Sequence, residues 1–149
     1  MHKLSSSKTG PLLGTITVPG DKSISHRALI MGALAVGESK ISGLLEGEDV
    51  LGTASALRAL GADIYKDDNT VWHVHGVGIG GLREPEISLN MGNSGTGVRL
   101  LMGLVATHPI QVTFTGDSSL SSRPMKRITN PLEIFGAKFS GNSEGTLPI

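Results

Sequence analysis

The chain has 149 residues, 38% of them hydrophobic and 17% charged, which is typical of a soluble globular protein with a core of its own. Its 13 basic and 13 acidic side chains cancel and only 3% of its residues are aromatic, which disfavours a protein that binds nucleic acid or an anionic membrane. The absence of cysteine excludes disulfides, thiolate zinc sites and a cysteine nucleophile. Together with the lack of a signal segment or of an apolar run near ~20 residues, it favours a cytoplasmic protein.

The first part of the chain alternates predicted strands and helices. Alternating β-branched residues indicate strands, and apolar residues at helical spacing, bounded by Gly or Pro, indicate helices. Strands are predicted at 14–18, 40–44, 62–65 and 71–77, and helices at 23–36 and 49–60. We expect Ser23 or Ser25 to cap the first helix and Asp49 to cap the second.

The second part follows the same order of elements. Strands are predicted at 87–90, 110–115 and 137–140, and helices at 94–106 and 124–135. Pro124 suits the first turn of the last helix, and Gly136 ends it.

The two parts also resemble each other residue by residue. GDKSISHRALIMGAL from Gly20 aligns with GNSGTGVRLLMGLV from Gly92, so that Arg27 matches Arg99. Each unit reads β-α-β-α-β-β with helices apolar on most sides, which predicts an α/β fold of repeated units with buried helices and outer sheets, here incomplete. The expected divisions are an amino-terminal segment with the first strand at 1–19, a first unit at 20–91 and a truncated second unit at 92–149.

The loop that opens the first unit carries a candidate anion site. Lys22 and Ser23 precede a predicted helix, and Arg27 lies one turn beyond Ser23 on the same face. A lysine, a hydroxyl and an arginine at a helix N-terminus can bind phosphate or carboxylate. A capped helix with solvated charges explains this segment equally well, and the pattern of a P-loop is absent.

The loop that opens the second unit, GNSGTG, is the repeat equivalent of the first. Its glycines, Gly95 among them, let the backbone approach a ligand closely, and Asn93 supplies polar groups. A third segment, DSSLSSRPMKR from Asp117, offers Arg123 for bidentate contact with an anion. Without other information, a solvated basic turn explains that segment better than an anion site does.

The remaining candidates for catalysis or metal binding are better explained by structural roles. Helix capping accounts for Glu48 and Asp49 better than catalysis does. His73 and His75 share one face of a strand at a spacing that metal ligands use, but a cross-strand or surface role is favoured because no third ligand is evident. No metal site is therefore assigned.

Four segments together resemble the EPSP synthase (3-phosphoshikimate 1-carboxyvinyltransferase) family. They are PGDKSISHRALIMGALA, LLEGEDV, GNSGTGVRLLMGL and GDSSLSSRPM, in the family's order over most of the chain. GEDV and SLSSRPM are similar to the class II branch, which includes glyphosate-tolerant members. The sister family, UDP-N-acetylglucosamine enolpyruvyl transferase, usually has a Lys-Asn pair and a reactive cysteine, whereas this chain has Lys22-Ser23 and no cysteine.

The resemblance implies an enolpyruvyl transferase-like inside-out barrel and a reaction in the shikimate pathway. The family transfers the enolpyruvyl group of phosphoenolpyruvate to the 5-hydroxyl of shikimate 3-phosphate and releases phosphate, without metal or organic cofactor. By resemblance, Lys22 contacts both substrates, and Ser23 and Arg27 bind shikimate 3-phosphate. Arg123 binds phosphoenolpyruvate with Gly95 close against it, and Asn93 adds a polar contact.

The resemblance also sets limits on what this chain does. The family has six such units, of which about two are present, and its acid/base carboxylates lie downstream, so we expect no catalysis by these residues alone. We expect the remainder of the enzyme, or self-association, to cover the exposed core. Some tolerant class II enzymes have alanine where this chain has Gly95, so that form of glyphosate tolerance is not expected. The alternatives are a non-catalytic anion-binding or structural domain of this fold, and another enolpyruvyl transferase.

Overall fold

The computed structural model describes residues 4–149 and shows helices and strands alternating along the chain. The helices are α1 (Lys22–Leu34), α2 (Glu48–Ala59), α3 (Gly95–Val105), α4 (Ser118–Ser121) and α5 (Lys126–Ile134). The strands are β1 (Val36–Ile41), β2 (Asp63–Lys66), β3 (Trp72–Val77), β4 (Leu89–Asn90) and β5 (Phe114–Thr115). Within the described range, no helix is both long and apolar enough to cross a bilayer.

An antiparallel sheet with the strand order β1-β3-β2 forms the outer layer of the first unit. Val36 pairs with Val77 in one ladder, and Ile64 pairs with Val74 in the other. β2 and β3 match their predicted positions closely. β1 begins earlier than predicted because Gly37, with a φ of 91°, lets the chain reverse directly after α1.

A second, two-stranded sheet joins β4 and β5 in parallel, with Leu89 opposite Phe114. Both strands are shorter than the sequence predicts. Phe114 also exchanges two backbone hydrogen bonds with Ile149, at 2.7 and 3.1 Å, so the end of the chain lies beside β5.

For the last part of the chain, one prediction is wrong and another is confirmed except at its start. The segment 137–140 forms no strand, whereas the helix predicted at 124–135 is found as α5 and begins at Lys126, so Pro124 lies in the turn before it and not in its first turn. The amide of Met125 donates a hydrogen bond to the carbonyl of Gly145 at 2.8 Å, and the Met125 side chain is fully buried. This tertiary contact holds the turn before α5 in a position that local propensity does not reveal.

The strand predicted at 14–18, and with it the first strand assigned to 1–19, is also wrong. This segment is extended but unpaired, and Ile16 and Val18 are 85% and 72% exposed. A strand needs a neighbour to satisfy its backbone groups, and within residues 4–149 none lies alongside. Alternating β-branched residues therefore favour a strand, but they do not ensure that a partner strand is present.

The helices α1, α2 and α3 each contribute a buried face to the core, as the sequence predicts, whereas α5 buries only Thr129. Leu29 of α1, Leu57 of α2 and Leu101 of α3 are completely buried, and they belong to one continuous apolar cluster. Burying a side chain of this size contributes roughly 1.5–3 kcal/mol. The core thus lies between these helices and the inner face of the three-stranded sheet, from which Val74 is completely buried against α1.

Two glycines allow α1 to lie directly on β3. A Cβ on Gly32 would be 3.1 Å from two side-chain atoms of Val74, and a Cβ on Gly76 would overlap the carbonyl oxygens of Gly32 and Ala35. Backbone atoms cannot move away as a flexible side chain can. The separation of helix and sheet therefore depends on the absence of a side chain at position 76.

A buried polar contact joins α1 to α2. Nδ1 of His26 lies 2.8 Å from Oγ1 of Thr53, and both residues are completely buried. The Thr53 hydroxyl donates to the carbonyl of Asp49 at 3.3 Å, so His26 must supply the hydrogen in their shared bond. Burial lowers the pKa of His26, an effect that the nearby Asp49 partly offsets.

The outer face of the sheet carries a histidine held between two carboxylates. Nδ1 of His73 lies 2.6 Å from Glu38, and Nε2 lies 3.2 Å from Asp67. Tyr65 stacks on the same ring at 4.9 Å, and His75 lies 3.8 Å from Glu38. The hydrogen bonds that Glu38 and then Asp67 accept from His73 raise its pKa, and this cross-strand role agrees with the simpler interpretation of the histidine pair. Within residues 4–149, no three His, Asp or Glu side chains are arranged to hold a metal ion.

We predict that Gly76→Ala destabilises the fold by about 1–3 kcal/mol, because its methyl group collides with backbone oxygens of α1. Gly103→Ala is the matched control, since Gly103 lies in α3 with open space around it. That substitution should stabilise the protein by roughly 0.5–1 kcal/mol through helix propensity. Urea denaturation of both variants measures the difference, and equal effects of the two would contradict the close-packing argument.

We also predict that His73→Gln changes how stability depends on pH. A histidine with a raised folded-state pKa adds stability below its unfolded pKa of roughly 6.5, and this stability is lost as the pH rises through the folded-state value. The advantage of the wild type over the variant should therefore shrink as the pH rises above roughly 6.5. The lowered pKa of His26 acts in the opposite direction, but it is common to both proteins.

His75→Gln provides the control for this measurement, because His75 is more exposed and lies farther from Glu38 than His73 does. Denaturation at several pH values should give His75→Gln the same pH dependence as the wild type. A constant difference between wild type and His73→Gln over this pH range would refute the role of the carboxylate clamp.

Candidate anion-binding site

The N-terminus of α1 forms one side of the candidate site. Asp21 caps this helix, since its Oδ1 accepts a hydrogen bond from the Ile24 amide at 2.8 Å, so the predicted Ser23 or Ser25 cap is wrong. Ser25 instead donates to the carbonyl of Asp21 at 2.7 Å and accepts from the amide of Leu45 at 3.0 Å. These bonds fix the loop, and they leave the side chain of Ser23 exposed.

Lys22 and Arg27 occupy this exposed helix end. Nζ of Lys22 lies 3.0 Å from Oδ2 of Asp49, and the lysine side chain is 51% exposed. Nη1 of Arg27 donates to the carbonyl of Ser23 at 3.1 Å. Asp49 lies in the first turn of α2, which Gly47 precedes without a side-chain cap, so Asp49 serves as the partner of Lys22 rather than as a cap.

The N-terminus of α3 forms the other side. Ser94 caps it by accepting a hydrogen bond from the Gly97 amide at 3.1 Å. Gly92, with a φ of 53°, starts the turn into the helix, and its amide donates to Oδ1 of Asn90 at 2.9 Å. Asn93 is therefore held at the mouth of the loop, directly before the helix.

Arg123 reaches this loop from the turn between α4 and α5. Its Nη2 donates to Oδ1 of Asn93 at 2.5 Å and to Oγ of Ser119 at 3.1 Å. Nδ2 of Asn93 in turn donates to Oδ2 of Asp117 at 2.7 Å. This bond is the main reason that the pKa of Asp117 lies below its usual value, and the amide of Leu120 adds to the effect. The carboxylate therefore stays ionised at neutral pH.

Two guanidinium groups lie against Gly95. A Cβ at this position would be 2.8 Å from Nη1 of Arg99 and 2.9 Å from Nη1 of Arg123. Nη1 of Arg99 also donates to the carbonyl of Gly95 at 2.8 Å, and its Nη2 reaches the carbonyl of Pro124 at 3.4 Å. Gly95 thus leaves room for the two arginines beside the helix N-terminus.

Sequence reasoning missed Arg99 and Asp117 as residues of this site. The alignment of the two units contained the signal for Arg99, because Arg27 and Arg99 each donate to the carbonyl four residues earlier, at Ser23 and Gly95. Asp117 gave no such signal, because it resembles an ordinary helix cap. Its contact with Asn93 joins two distant parts of the chain.

A cleft of about 260 Å³ lies between the start of α2 and the loop before α3. It is lined by residues at the start of α2 and by the loop before α3: Glu48, Asp49, Gly52, Asn90, Met91, Gly92 and Asn93. Asp49, the partner of Lys22, thus lies in one wall, and Asn93, the partner of Arg123, lies in the other. A larger cavity of about 440 Å³, which His108 and Phe139 help to line, lies by the C-terminal end of α3 and includes none of the predicted site residues.

This arrangement suits two anionic groups. Helix N-termini present unpaired N–H groups and a positive dipole end, and arginine binds carboxylate or phosphate in a bidentate manner. Lys22, Ser23 and Arg27 lie at the N-terminus of α1, whereas Asn93, Gly95 and Arg123 meet at the N-terminus of α3, and of these six residues Asn93 alone lines the cleft. Within the described residues, no hydrogen bond joins the two sets directly.

Comparison with known proteins shows the family to which the chain is similar. Residues 6–149 match the family model of EPSP synthase (3-phosphoshikimate 1-carboxyvinyltransferase). Proteins named 3-phosphoshikimate 1-carboxyvinyltransferase are 64% identical in Novosphingobium aromaticivorans, over 94% of this chain, and 60% identical in Jannaschia sp., over 98%. The matched region is 32% of each of these relatives, so the chain spans about a third of their length.

A solved structure agrees as well. EPSP synthase from Acinetobacter baumannii superposes with a TM-score of 0.85 and 47% sequence identity, over 91% of this chain and 31% of that one. The fold predicted from repeated units with buried helices is thus found in a solved structure. With the family model matching nearly all of its residues, the chain belongs to the EPSP synthase family.

Proposed function

We propose that this chain is the amino-terminal part of an enzyme that transfers the enolpyruvyl group of phosphoenolpyruvate to shikimate 3-phosphate. The observation that carries the proposal is the convergence of Arg123 and Arg99 on Gly95 at the N-terminus of α3. Phosphoenolpyruvate bears a carboxylate and a phosphate, and two guanidinium groups at a helix N-terminus can bind such a pair.

The proposal divides the site between the two substrates. Lys22, Ser23 and Arg27 bind shikimate 3-phosphate, and Arg123, Asn93 and Gly95 bind phosphoenolpyruvate. Lys22 also contacts phosphoenolpyruvate, since its partner Asp49 lines the cleft that Asn93 lines from the other side. No metal or organic cofactor is proposed.

Lys22 has to exchange one partner for another when substrate binds. Its ion pair with Asp49 is half exposed, and such pairs contribute only about 0–1 kcal/mol. A phosphate carries more charge than a carboxylate and offers more acceptor oxygens, so it can displace Asp49 at little cost. The residues present then act by holding both anions in position and by stabilising their charge.

The proposal extends to the setting of the enzyme. Its partners are the two small anionic substrates and the part of the enzyme that corresponds to the remaining two-thirds of the relatives' length. An isolated chain self-associates through the apolar side chains that are left uncovered without that part. Ile134 and Phe135, which are adjacent at the C-terminal end of α5, are each 86% exposed, and adjoining exposed apolar side chains can mark an interaction site. A cysteine-free sequence suits the reducing cytoplasm.

We predict that the 149-residue chain binds shikimate 3-phosphate weakly and without turnover. Residue-resolved NMR should show saturable shifts centred on Lys22, Ser23 and Arg27, while a mixture with phosphoenolpyruvate should release no phosphate. Lys22→Gln should weaken binding about tenfold or more, because a hydrogen bond to a charged group contributes roughly 1.5–3 kcal/mol.

Lys40→Gln is the matched control for this titration. Lys40 is also an exposed lysine paired with a carboxylate, 3.6 Å from Glu38, but it lies on the sheet outside the cleft. Affinity should stay at the wild-type value in this variant. Equal losses in the two variants would mean that the lysines attract phosphate only through the net charge of the chain.

We predict that Gly95→Ala lowers the affinity for phosphoenolpyruvate about tenfold and leaves that for shikimate 3-phosphate unchanged. The added methyl displaces the flexible ends of Arg99 and Arg123 rather than backbone, so the fold should persist while one charge-assisted contact is lost. Titration of the variant with each substrate measures the difference, and Gly103→Ala on the same helix serves as the control.

The same variant tests the expectation about glyphosate. In a chimaeric enzyme that joins this chain to the remaining two-thirds of the Novosphingobium relative, Gly95→Ala should reduce inhibition by glyphosate and raise the KM for phosphoenolpyruvate. An inhibition curve that Gly95→Ala leaves unchanged would refute the assignment of Gly95 to that site.

A further inference from the structure

Arg123 is held by contacts that leave its charge unneutralised. Both acceptors of its Nη2, the amide oxygen of Asn93 and the hydroxyl of Ser119, are neutral. Among residues 4–149, no carboxylate lies within ion-pair distance of this guanidinium. Its Nη1 lies beside Gly95, on the side where α3 begins. The positive charge therefore remains available to an incoming anion.

Asp117 is fixed in place by three hydrogen bonds, two within its own segment and one to the loop before α3. Its Oδ1 accepts from the Leu120 amide at 2.7 Å, its carbonyl accepts from Ser121 at 2.8 Å, and its amide donates to the carbonyl of Gly92 at 2.9 Å. The last bond attaches the start of α4 to the loop before α3. Oδ2 is left facing that loop, where it accepts the bond from Nδ2 of Asn93.

The carboxylate of Asp117 decides which end of the Asn93 amide meets Arg123. An ionised carboxylate only accepts hydrogen bonds, so the NH₂ group of Asn93 has to face Asp117. The oxygen of the same amide then points to Arg123, which only donates. With the amide reversed, both neighbours of Asn93 would be mismatched.

We propose that Asp117 is a positioning residue for Arg123: through Asn93, its carboxylate fixes the guanidinium in the orientation that receives the anionic substrate. This inference rests on the proposed function, because it takes Arg123 as the residue that binds phosphoenolpyruvate. Because the side-chain amide of Asn93 lies between Asp117 and Arg123, the carboxylate orients the arginine without forming an ion pair with it. A carboxylate in direct contact with Arg123 would hold the side chain equally well but would compete with the substrate.

Asp117→Asn tests this role while preserving the helix cap. Asparagine caps helices about as well as aspartate, so Oδ1 can still accept from Leu120. The other end of the new amide places an N–H group opposite Nδ2 of Asn93, which forces the Asn93 amide to turn over. Arg123 then meets an N–H group where it previously met an oxygen.

Two readings on the 149-residue chain, the affinity for phosphoenolpyruvate and the NMR resonances of Arg123, measure the effect of Asp117→Asn. The affinity for phosphoenolpyruvate should fall about tenfold, the effect of one charge-assisted hydrogen bond. In NMR spectra recorded without ligand, the separate Nη resonances that report hindered rotation of the Arg123 guanidinium should merge. A purely structural role of Asp117 would lower stability without changing this local signature.

Asp67→Asn is the matched control. Asp67 also accepts from a backbone amide with Oδ1, that of Asn69 at 2.9 Å, and from a side chain with Oδ2, that of His73 at 3.2 Å. Because Asp67 lies in the turn between β2 and β3, outside the cleft, both readings should stay at the wild-type values. Asp117→Asn leaving both readings unchanged, or Asp67→Asn changing them equally, would overturn the proposal.

The two readings separate this inference from the function on which it rests. A wild-type chain that does not bind phosphoenolpyruvate would count against the proposed half-site, and the Arg123 resonances would still decide whether Asp117 positions the arginine. Merged resonances in Asp117→Asn with unchanged affinity would overturn the role in binding. Merged resonances with reduced affinity for phosphoenolpyruvate, but not for shikimate 3-phosphate, would support it.

Discussion

The meeting of three helices at Thr53 is the constraint on which the candidate site depends. The buried hydroxyl of Thr53 on α2 accepts a hydrogen bond from His26 on α1, and it would lie 2.8 Å from a Cβ on Gly97 of α3. This contact requires an imidazole with a hydrogen on Nδ1 and a residue without a side chain at position 97. α1 and α3 both begin within about one turn of these contacts. The contacts therefore also fix the positions of the two helix N-termini at the candidate site.

The sequence predicts the helices better than it predicts the strands, for a physical reason. α1, α2 and α3 carry their own hydrogen bonds and an internal repeat, so local patterns predict them to within a few residues. A strand depends on a partner that may be far away or absent. The segment 14–18 has the right residues but lies unpaired, and the turn before α5 follows the distant carbonyl of Gly145.

The same distinction applies to the candidate site. Lys22, Arg27 and Arg123 were identified from the sequence because charged groups at helix ends are visible in one segment. Asp117 was missed because its importance depends on a hydrogen bond to a residue 24 positions away. Arg99 falls between these cases, since alignment with Arg27 predicts its contact but its approach to Gly95 requires the folded chain.

The two sides of the cleft differ in how their cations are held, and the difference has consequences for binding. Lys22 is paired directly with the carboxylate of Asp49, so an anion has to displace that partner before it gains the full interaction. Arg123 is held by the neutral amide of Asn93, with the negative charge of Asp117 one residue farther away. Its side is therefore already ordered and still fully charged, and a preorganised site of this kind loses less entropy on binding. An anion with a single charged group should for this reason favour the Arg123 side, and a substrate that reaches both sides gains the Lys22 interaction only by replacing Asp49.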